Sequence, residues 1–246
     1  VENDIEICQL VNSITLQTPI GEAVNLLRKK LDLEPRWAFS LARTDVAVGL
    51  LTERLEQVGV FVAYNGVVGN NTQRTLKVSE CRGFALVDRV APYVFVNSGD
   101  SKSAQLFTLI HEVAHIMLGV SAGHAGEDLG AHDTYERYCD AMAAEFLVPA
   151  HVLRETWNHD IKKQTRQFKV SEIVVALRTI ERSGLSEFLD GIQPSSYSRE
   201  EKKWWRRFLS YQCKKSRKTL CYPCTQCRKQ PSVGIYGGLS SNWSVW

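Results

Sequence analysis

The most informative stretch of this chain is Phe107-Thr108-Leu109-Ile110-His111-Glu112-Val113-Ala114-His115. Residues four apart lie one turn apart on the same face of an α-helix. His111 and His115 can therefore direct both imidazoles at one metal ion, while Glu112 lies beside it. The pattern predicts a metal site on a single helix.

The residues around this motif are largely apolar. They predict a helix whose N-cap is Asp100 or Ser101 and which ends at Gly119. Such a helix is expected to be buried, and buried ionisable side chains require a partner such as a metal ion. The alternative is a chance match to the motif on a solvated helix face.

A catalytic zinc ion keeps three protein ligands and leaves its fourth position to water. For the third ligand we predict Glu136, in the stretch Glu136-Arg137-Tyr138-Cys139-Asp140. A second helix beginning near Thr134, as its N-cap, would present Glu136 and Asp140 on one face. Asp140 could then accept the other ring N–H of a ligand histidine, for which we favour His111.

This arrangement of Zn²⁺ ligands predicts hydrolysis of peptide bonds. Glu112, which is not a ligand, would take a proton from the attacking water and later hand it to the leaving amine. An oxyanion-stabilising donor is also expected, and Tyr135, His124 and His132 are candidates near the linker between the motifs. A loop histidine is otherwise a solvated surface group.

Three stretches of the chain resemble the ImmA/IrrE-type metallopeptidases, which are gluzincin-like zinc proteases. They are Arg82-Gly83-Phe84-Ala85-Leu86, the stretch 107–115 and the run from Glu136 to Pro149. Cys139-Asp140 stands where the family commonly has Ala-Asn, and Asp140 matches the general gluzincin signature E-x-x-x-D. The similarity extends more weakly over residues from about 40 to 190 and does not reach the last 48 residues.

The resemblance implies an intracellular protease with a narrow choice of substrate. Known relatives act on DNA-binding repressors, often encoded beside them on phages or mobile elements, and relieve repression after a stress signal. The expected partner is therefore a helix-turn-helix repressor. The alternative is a non-catalytic regulatory protein that docks to a transcription factor and modulates DNA-linked regulation.

The order of the elements predicts an α+β fold, in which a small mixed sheet with zinc-binding helices is followed by helices at the C-terminal end. Strands are expected at residues 59–64, 84–87 and 93–96. For the edge strand that pairs with an extended substrate we predict Tyr93, Val94, Phe95, Val96 and Asn97, with an ordinary core strand as the alternative.

The predicted domain organisation has four parts. They are an N-terminal helical segment (1–40), a zinc metallopeptidase domain (41–150), a helical C-terminal subdomain (151–198) and a basic, cysteine-containing tail (199–246). Many larger relatives carry an N-terminal helix-turn-helix domain, but residues 1–40 predict a single helix after Thr18-Pro19. Because the chain starts at Val1, an upstream DNA-binding domain is an open expectation.

Composition is typical of a soluble cytoplasmic enzyme without a membrane partner. The 246 residues are 44% hydrophobic and 23% charged, enough for one sizeable core. No apolar run reaches the roughly 18 residues of a membrane span, and no signal peptide is recognisable. Seven cysteines, an odd number, fit reduced thiols better than a disulfide framework.

The tail from Arg199 to Lys229 carries a net charge of +9, whereas the first 198 residues carry −6. It contains four cysteines and several aromatic residues, so a metal or nucleic-acid module is one interpretation. Disorder is a second. The third interpretation is a shifted reading frame, because the codons of Trp204-Trp205 encode Gly-Gly when they are read one base later. A Gly-Gly-Asp-Phe-Tyr stretch is one that we associate with the family's C-terminal region.

Overall fold

The computed structural model describes residues 7–69, 71–121 and 129–180, with residues 129–133 described for their backbone alone. The helices and strands of these residues are, in chain order, α1 (Ile20–Leu31), α2 (Thr44–Gln57), β1 (Phe61–Asn65), β2 (Val67–Val68), β3 (Asn71–Thr75), β4 (Gly83–Leu86), β5 (Tyr93–Asn97), α3 (Lys102–Leu118), α4 (Leu129–Leu147), α5 (Ala150–Thr156) and α6 (Ile161–Phe168). Residues 172–180 are also helical. The predicted mixture of helices and a small mixed sheet is confirmed.

The main sheet has three strands in the order β1-β5-β4, and β2 with β3 forms a separate two-stranded sheet. β5 pairs in parallel with β1 and antiparallel with β4. The prediction that Tyr93–Asn97 is the edge strand is therefore wrong, because hydrogen-bonding partners occupy both of its sides. Within the described part of the chain, β1 and β4 are the edges of this sheet.

The two faces of the sheet have different environments. Side chains on the inner face are buried and face the helices, among them Ala85, Val94 and Val96. Tyr64 also points inward, and its hydroxyl lies 2.8 Å from that of Thr52 on α2. The opposite face carries the alternate residues of each strand.

Helix α3 has the boundaries that its local signals predict. The Ser101 hydroxyl caps it by accepting the N–H of Ala104, and Gly119 ends it in the left-handed conformation, with φ of 73°. The residues of α3 from Leu106 onward are almost all buried, which confirms the expected buried helix.

Helix α4 begins at Leu129, five residues before the predicted cap at Thr134. Thr134 therefore lies inside the helix. Threonine is common at helix N-caps, so its presence here gave a misleading signal for the start of the helix. The buried face of α4 packs against α3. It is lined by Cys139, Met142, Ala143 and Phe146.

Helices from the N- and C-terminal parts pack against the end of α4. Arg28 of α1 is buried and donates a hydrogen bond to the carbonyl of Phe146. Arg178, in the helical residues 172–180, pairs with Glu145 and donates to the carbonyl of Val148. Residues from Cys8 to Ile180 therefore share one hydrophobic core, and the proposed domain boundaries stay a prediction.

None of the helices in the described ranges combines the length and the apolar character that crossing a bilayer requires. His124, the side chain of His132 and the tail from residue 199 lie outside what the structure describes.

Candidate metal centre

Three ligand-type side chains converge between α3 and α4. His111, His115 and Glu136 each offer a donor atom, and these atoms all lie within 4.8 Å of one another. Oε2 of Glu136 lies 3.2 Å from Nε2 of His111, and Oε1 of Glu136 lies 3.3 Å from Nε2 of His115. The two Nε2 atoms are themselves 3.3 Å apart.

This donor set fits a divalent metal ion. Two imidazole nitrogens point at each other across a short gap, and one carboxylate lies against both. A cation between them could accept a lone pair from each of the three groups, and imidazole with carboxylate suits zinc and related metals. The residues present therefore match the chemistry of a His-His-Glu site.

The local sequence explains the convergence. His111 and His115 lie one turn apart on α3, close to its C-terminal end. Glu136 and Asp140 lie one turn apart on α4, alongside the buried Cys139 that contacts the core. Packing α4 against α3 through its apolar residues thus turns both carboxylates toward the two histidines.

Asp140 contacts the far side of the His111 ring. Its Oδ1 atom lies 3.0 Å from Nδ1 of His111, while Nε2 of the same ring faces Glu136. A carboxylate in this position accepts the Nδ1 proton and leaves Nε2 as the nitrogen that faces the gap.

Glu112 lies between the two histidines in sequence and is only 7% exposed. Its Oε2 atom is buried and has no hydrogen-bond partner among the described residues. Burial raises the pKa of Glu112, although His111 and His115 oppose the shift. A buried carboxylate with one unpartnered oxygen, beside a cluster of metal-ligand type, is a candidate for proton transfer.

Contacts within the cluster shift the pKa values of His111 and Glu136 in opposite directions. Burial would lower the pKa of His111, but the contacts with Asp140 and Glu136 outweigh it and raise the pKa to about 10. The hydrogen bonds from His111 and His115 hold the pKa of Glu136 well below its usual range. At neutral pH the site therefore holds an ionised Glu136 and a protonated His111.

Strand β4 lies directly over α3 at this site, which the sequence analysis did not anticipate. A Cβ atom built on Gly83 would lie 2.5 Å from Cγ2 of Thr108 and 3.4 Å from Cγ of Glu112. At the other end of the strand, the N–H of Val87 donates to the hydroxyl of Ser121, just beyond α3, over 2.9 Å. The available signal was the glycine in Arg82-Gly83, because glycine within a strand often marks a close approach.

Tyr135, His124 and His132 were predicted as donors that stabilise the oxyanion. Tyr135 is half-buried and packs against the hydrophobic core. His124 and the side chain of His132 fall outside the described residues, so their predicted oxyanion role stays a prediction. Cys139 is buried, which raises the pKa of its thiol.

Residues 56–179, half of the chain, match the model of the peptidase family M78, described as the IrrE N-terminal-like domain. The whole His-His-Glu cluster lies within the matched range, and the family expected from the sequence is confirmed. No curated protein matches the chain. Among solved structures, a Mycobacterium tuberculosis transcriptional regulator is similar to it at 13% identity and a TM-score of 0.38, over 65% of this chain and 46% of that one.

Proposed function

The chain belongs to the M78 peptidase family, and we propose that it is a zinc-dependent endopeptidase that cleaves a DNA-binding transcriptional repressor. The observation that carries the proposal is the convergence of His111, His115 and Glu136 beside the buried Glu112. The family implies a metallopeptidase. Zinc as the metal and a repressor as the substrate are our proposals.

The zinc ligands in this proposal are Nε2 of His111, Nε2 of His115 and the carboxylate of Glu136. A bound zinc ion would lower the pKa of a water molecule towards about 7 and polarise the scissile carbonyl. Asp140 would hold the proton on Nδ1 of His111, which fixes the ring orientation and makes Nε2 the more basic donor.

Glu112 would act as general base and then as general acid. Its carboxylate takes a proton from the attacking water and delivers that proton to the nitrogen of the departing amine. The burial of Glu112 beside the proposed ligands, which raises the pKa of its carboxyl group, supports this role. Its unpartnered Oε2 is available for the transfer.

Strand β4 would bind the substrate backbone. The N–H of Asn97 donates to the carbonyl of Arg82 over 2.8 Å, which sets the phase of the β4–β5 pairing. Because hydrogen-bonded and non-hydrogen-bonded positions alternate along an antiparallel pair, Gly83 and Ala85 direct their backbone groups away from β5. An extended peptide could pair with this side of β4, with Gly83 next to Glu112.

We place the enzyme in the cytoplasm. The three cysteines of the described residues, Cys8, Cys81 and Cys139, are free thiols. Thiols in the reduced form are the usual state of cysteine in that compartment, and a repressor bound to DNA would be accessible there.

The test compares the wild-type protein with Glu112→Gln. The purified wild-type protein is expected to contain about one zinc per chain and to cleave the repressor encoded beside its gene, or peptides of a proteome-derived library. Glu112→Gln should retain the zinc and lose cleavage by at least about a hundredfold. The matched control is Glu53→Gln, which removes the same charge from the exposed surface of α2.

Two results would reject the proposed function. Cleavage by Glu112→Gln at the wild-type rate would remove Glu112 from the chemistry. A zinc-loaded wild-type protein that binds the repressor without cleaving it would favour the non-catalytic docking protein instead.

A further inference from the structure

The outer face of the main sheet is lined by aromatic and apolar side chains. In the register of the three strands, Phe61, Tyr93 and Leu86 lie side by side in one row. Phe95 and Phe84 lie in the next row, and their rings stack with centroids 5.0 Å apart. The rows run across the sheet, perpendicular to the strands.

This face is open to solvent at the ends of its first row. Leu86 is 51% exposed and Phe61 is 57% exposed, although both are large and apolar. Phe84 and Tyr93 are half-buried, with ring centroids 6.3 Å apart. Contiguous apolar surface of this kind usually marks a binding site.

The rows end at β4, whose outer edge is the one that the proposed substrate would use. A peptide paired with β4 becomes the next strand of the sheet, so its alternate side chains extend the two rows. Gly83 and Ala85 would form the hydrogen-bonded pairs with an antiparallel peptide. The peptide residues that face Phe84 and Leu86 would therefore occupy non-hydrogen-bonded pairs, in which side chains lie closest.

We propose that the substrate is recognised through two large apolar residues, two positions apart in an extended segment, which pack beside Phe84 and Leu86. Aromatic and β-branched side chains suit these positions, because such cross-strand pairs are favourable next to an aromatic or aliphatic neighbour. The segment is continuous with the cleavage site, since Gly83 precedes Phe84 and a Cβ atom built on Gly83 would lie 3.4 Å from Cγ of Glu112. This inference rests on the proposed endopeptidase function and names the sequence that the site selects.

The experiment profiles cleavage of a proteome-derived peptide library by the zinc-loaded protein, with cleavage sites identified by mass spectrometry. Wild-type cleavage sites should show large apolar residues enriched at two positions separated by one residue, by about 2- to 5-fold at each. For a peptide antiparallel to β4, both positions lie on the N-terminal side of the residue that faces Gly83.

The variant Leu86→Lys should change the selectivity at one of these positions only. The position that faces residue 86 should lose its apolar preference and favour Asp or Glu, whereas the position that faces Phe84 should keep its preference. Leu86→Ala is a second variant, expected to weaken the same preference without reversing it. Because Leu86 is half-exposed, both variants should keep their zinc and their thermal midpoint.

The matched control is Phe61→Lys. Phe61 lies in the same row and is similarly exposed, but it belongs to β1 at the opposite edge. With strands about 4.8 Å apart, it lies roughly 14 Å from a peptide added to β4. Its cleavage profile should match the wild type.

The outcomes separate the inference from the proposed function. Cleavage without an apolar preference at alternating positions, or an unchanged profile in Leu86→Lys, overturns the inference and leaves the endopeptidase intact. An equal change in Phe61→Lys also overturns it, because the effect would then be one of general surface charge. Absence of any cleavage by the zinc-loaded wild type overturns both.

Discussion

Asp140 and His111 are joined across two helices, with Oδ1 of Asp140 3.0 Å from Nδ1 of His111. The same imidazole directs its other nitrogen at Glu136, 3.2 Å away. The carboxylate of Asp140 therefore contacts one nitrogen of the ring, and the carboxylate of Glu136 faces the other nitrogen across the proposed metal position. The orientation of His111 depends on α4 as much as on its own helix.

Replacing Asp140 should weaken zinc binding. Asp140→Ala removes the group that accepts the Nδ1 proton, and losses of this kind typically lower metal affinity about 10- to 100-fold. Asp140→Asn should lose less, because its amide oxygen can still accept that proton. Affinity is measured by competition with a chromophoric chelator, and Asp32→Asn, whose side chain is 89% exposed, is the control. Equal affinities for wild type and Asp140→Ala would show that Asp140 does not support the site.

Zinc binding should release a proton from His111 and become tighter as the pH rises. With a pKa of about 10 in the metal-free protein, His111 is protonated at neutral pH and must lose the Nε2 proton before it can bind a metal. Deprotonation of His111 should therefore raise the zinc affinity by roughly tenfold per pH unit between pH 6 and 8. Calorimetry in buffers of different ionisation enthalpy counts the protons released, and a count of zero at pH 7 would contradict the assignment.

The parts of the structure that local signals specify could be predicted from the sequence. Ser101 and Gly119 delimit α3 because a hydroxyl cap and a left-handed glycine act within one turn of the helix end. The spacing of His111 and His115 follows from the helical repeat alone. The arrangement of these side chains therefore needed little knowledge of the remainder of the chain.

The parts that depend on distant contacts could not be predicted in this way. Tyr93–Asn97 would have the same alternating pattern at an edge or in the centre of the sheet. Its pairing with β1, in addition to β4, makes it the central strand. The bounds of α6 within the helical segment predicted over residues 151–198 could not be predicted, because one of its buried positions is polar. Gln164 is fully buried, and its amide donates to the carbonyl of Thr156, so the apolar repeat that would predict the helix is interrupted.

The C-terminal end of α3 should tolerate only glycine at position 119. Gly119 has a φ of 73°, and an added Cβ would lie 1.4 Å from Oδ1 of Asn12. Gly119→Ala should lower the free energy of unfolding by about 1–3 kcal/mol from the backbone conformation, and by more if Asn12 cannot move. Gly49→Ala is the matched control, because nothing lies within 4 Å of its Cβ position inside α2.

Denaturant unfolding monitored by circular dichroism measures both variants. Gly49→Ala should raise the free energy of unfolding by about 0.5–1 kcal/mol, since alanine is the better helix former. If Gly119→Ala were as stable as Gly49→Ala, the end of α3 would not be held in the described conformation.

A side chain at position 83 should impair cleavage more than metal binding. A Cβ on Gly83 would lie 2.8 Å from the carbonyl oxygen of Phe95 and closer still to Thr108, so β4 must shift relative to α3. The zinc ligands lie on α3 and α4, and zinc content should stay near that of the wild type. Cleavage should fall by about 10- to 100-fold, because a displacement of about 1 Å misplaces the bound peptide relative to Glu112.

Adding Thr108→Ala to Gly83→Ala tests the cause of that loss. The second substitution removes Cγ2, the atom of the shortest contact at 2.5 Å, and leaves the contact with the backbone of Phe95. Part of the cleavage rate should therefore return in the double variant, while Thr108→Ala alone changes it little. A loss of zinc from Gly83→Ala in proportion to its activity would instead mean that β4 supports the metal site itself, and the separation of peptide binding from metal binding would be wrong.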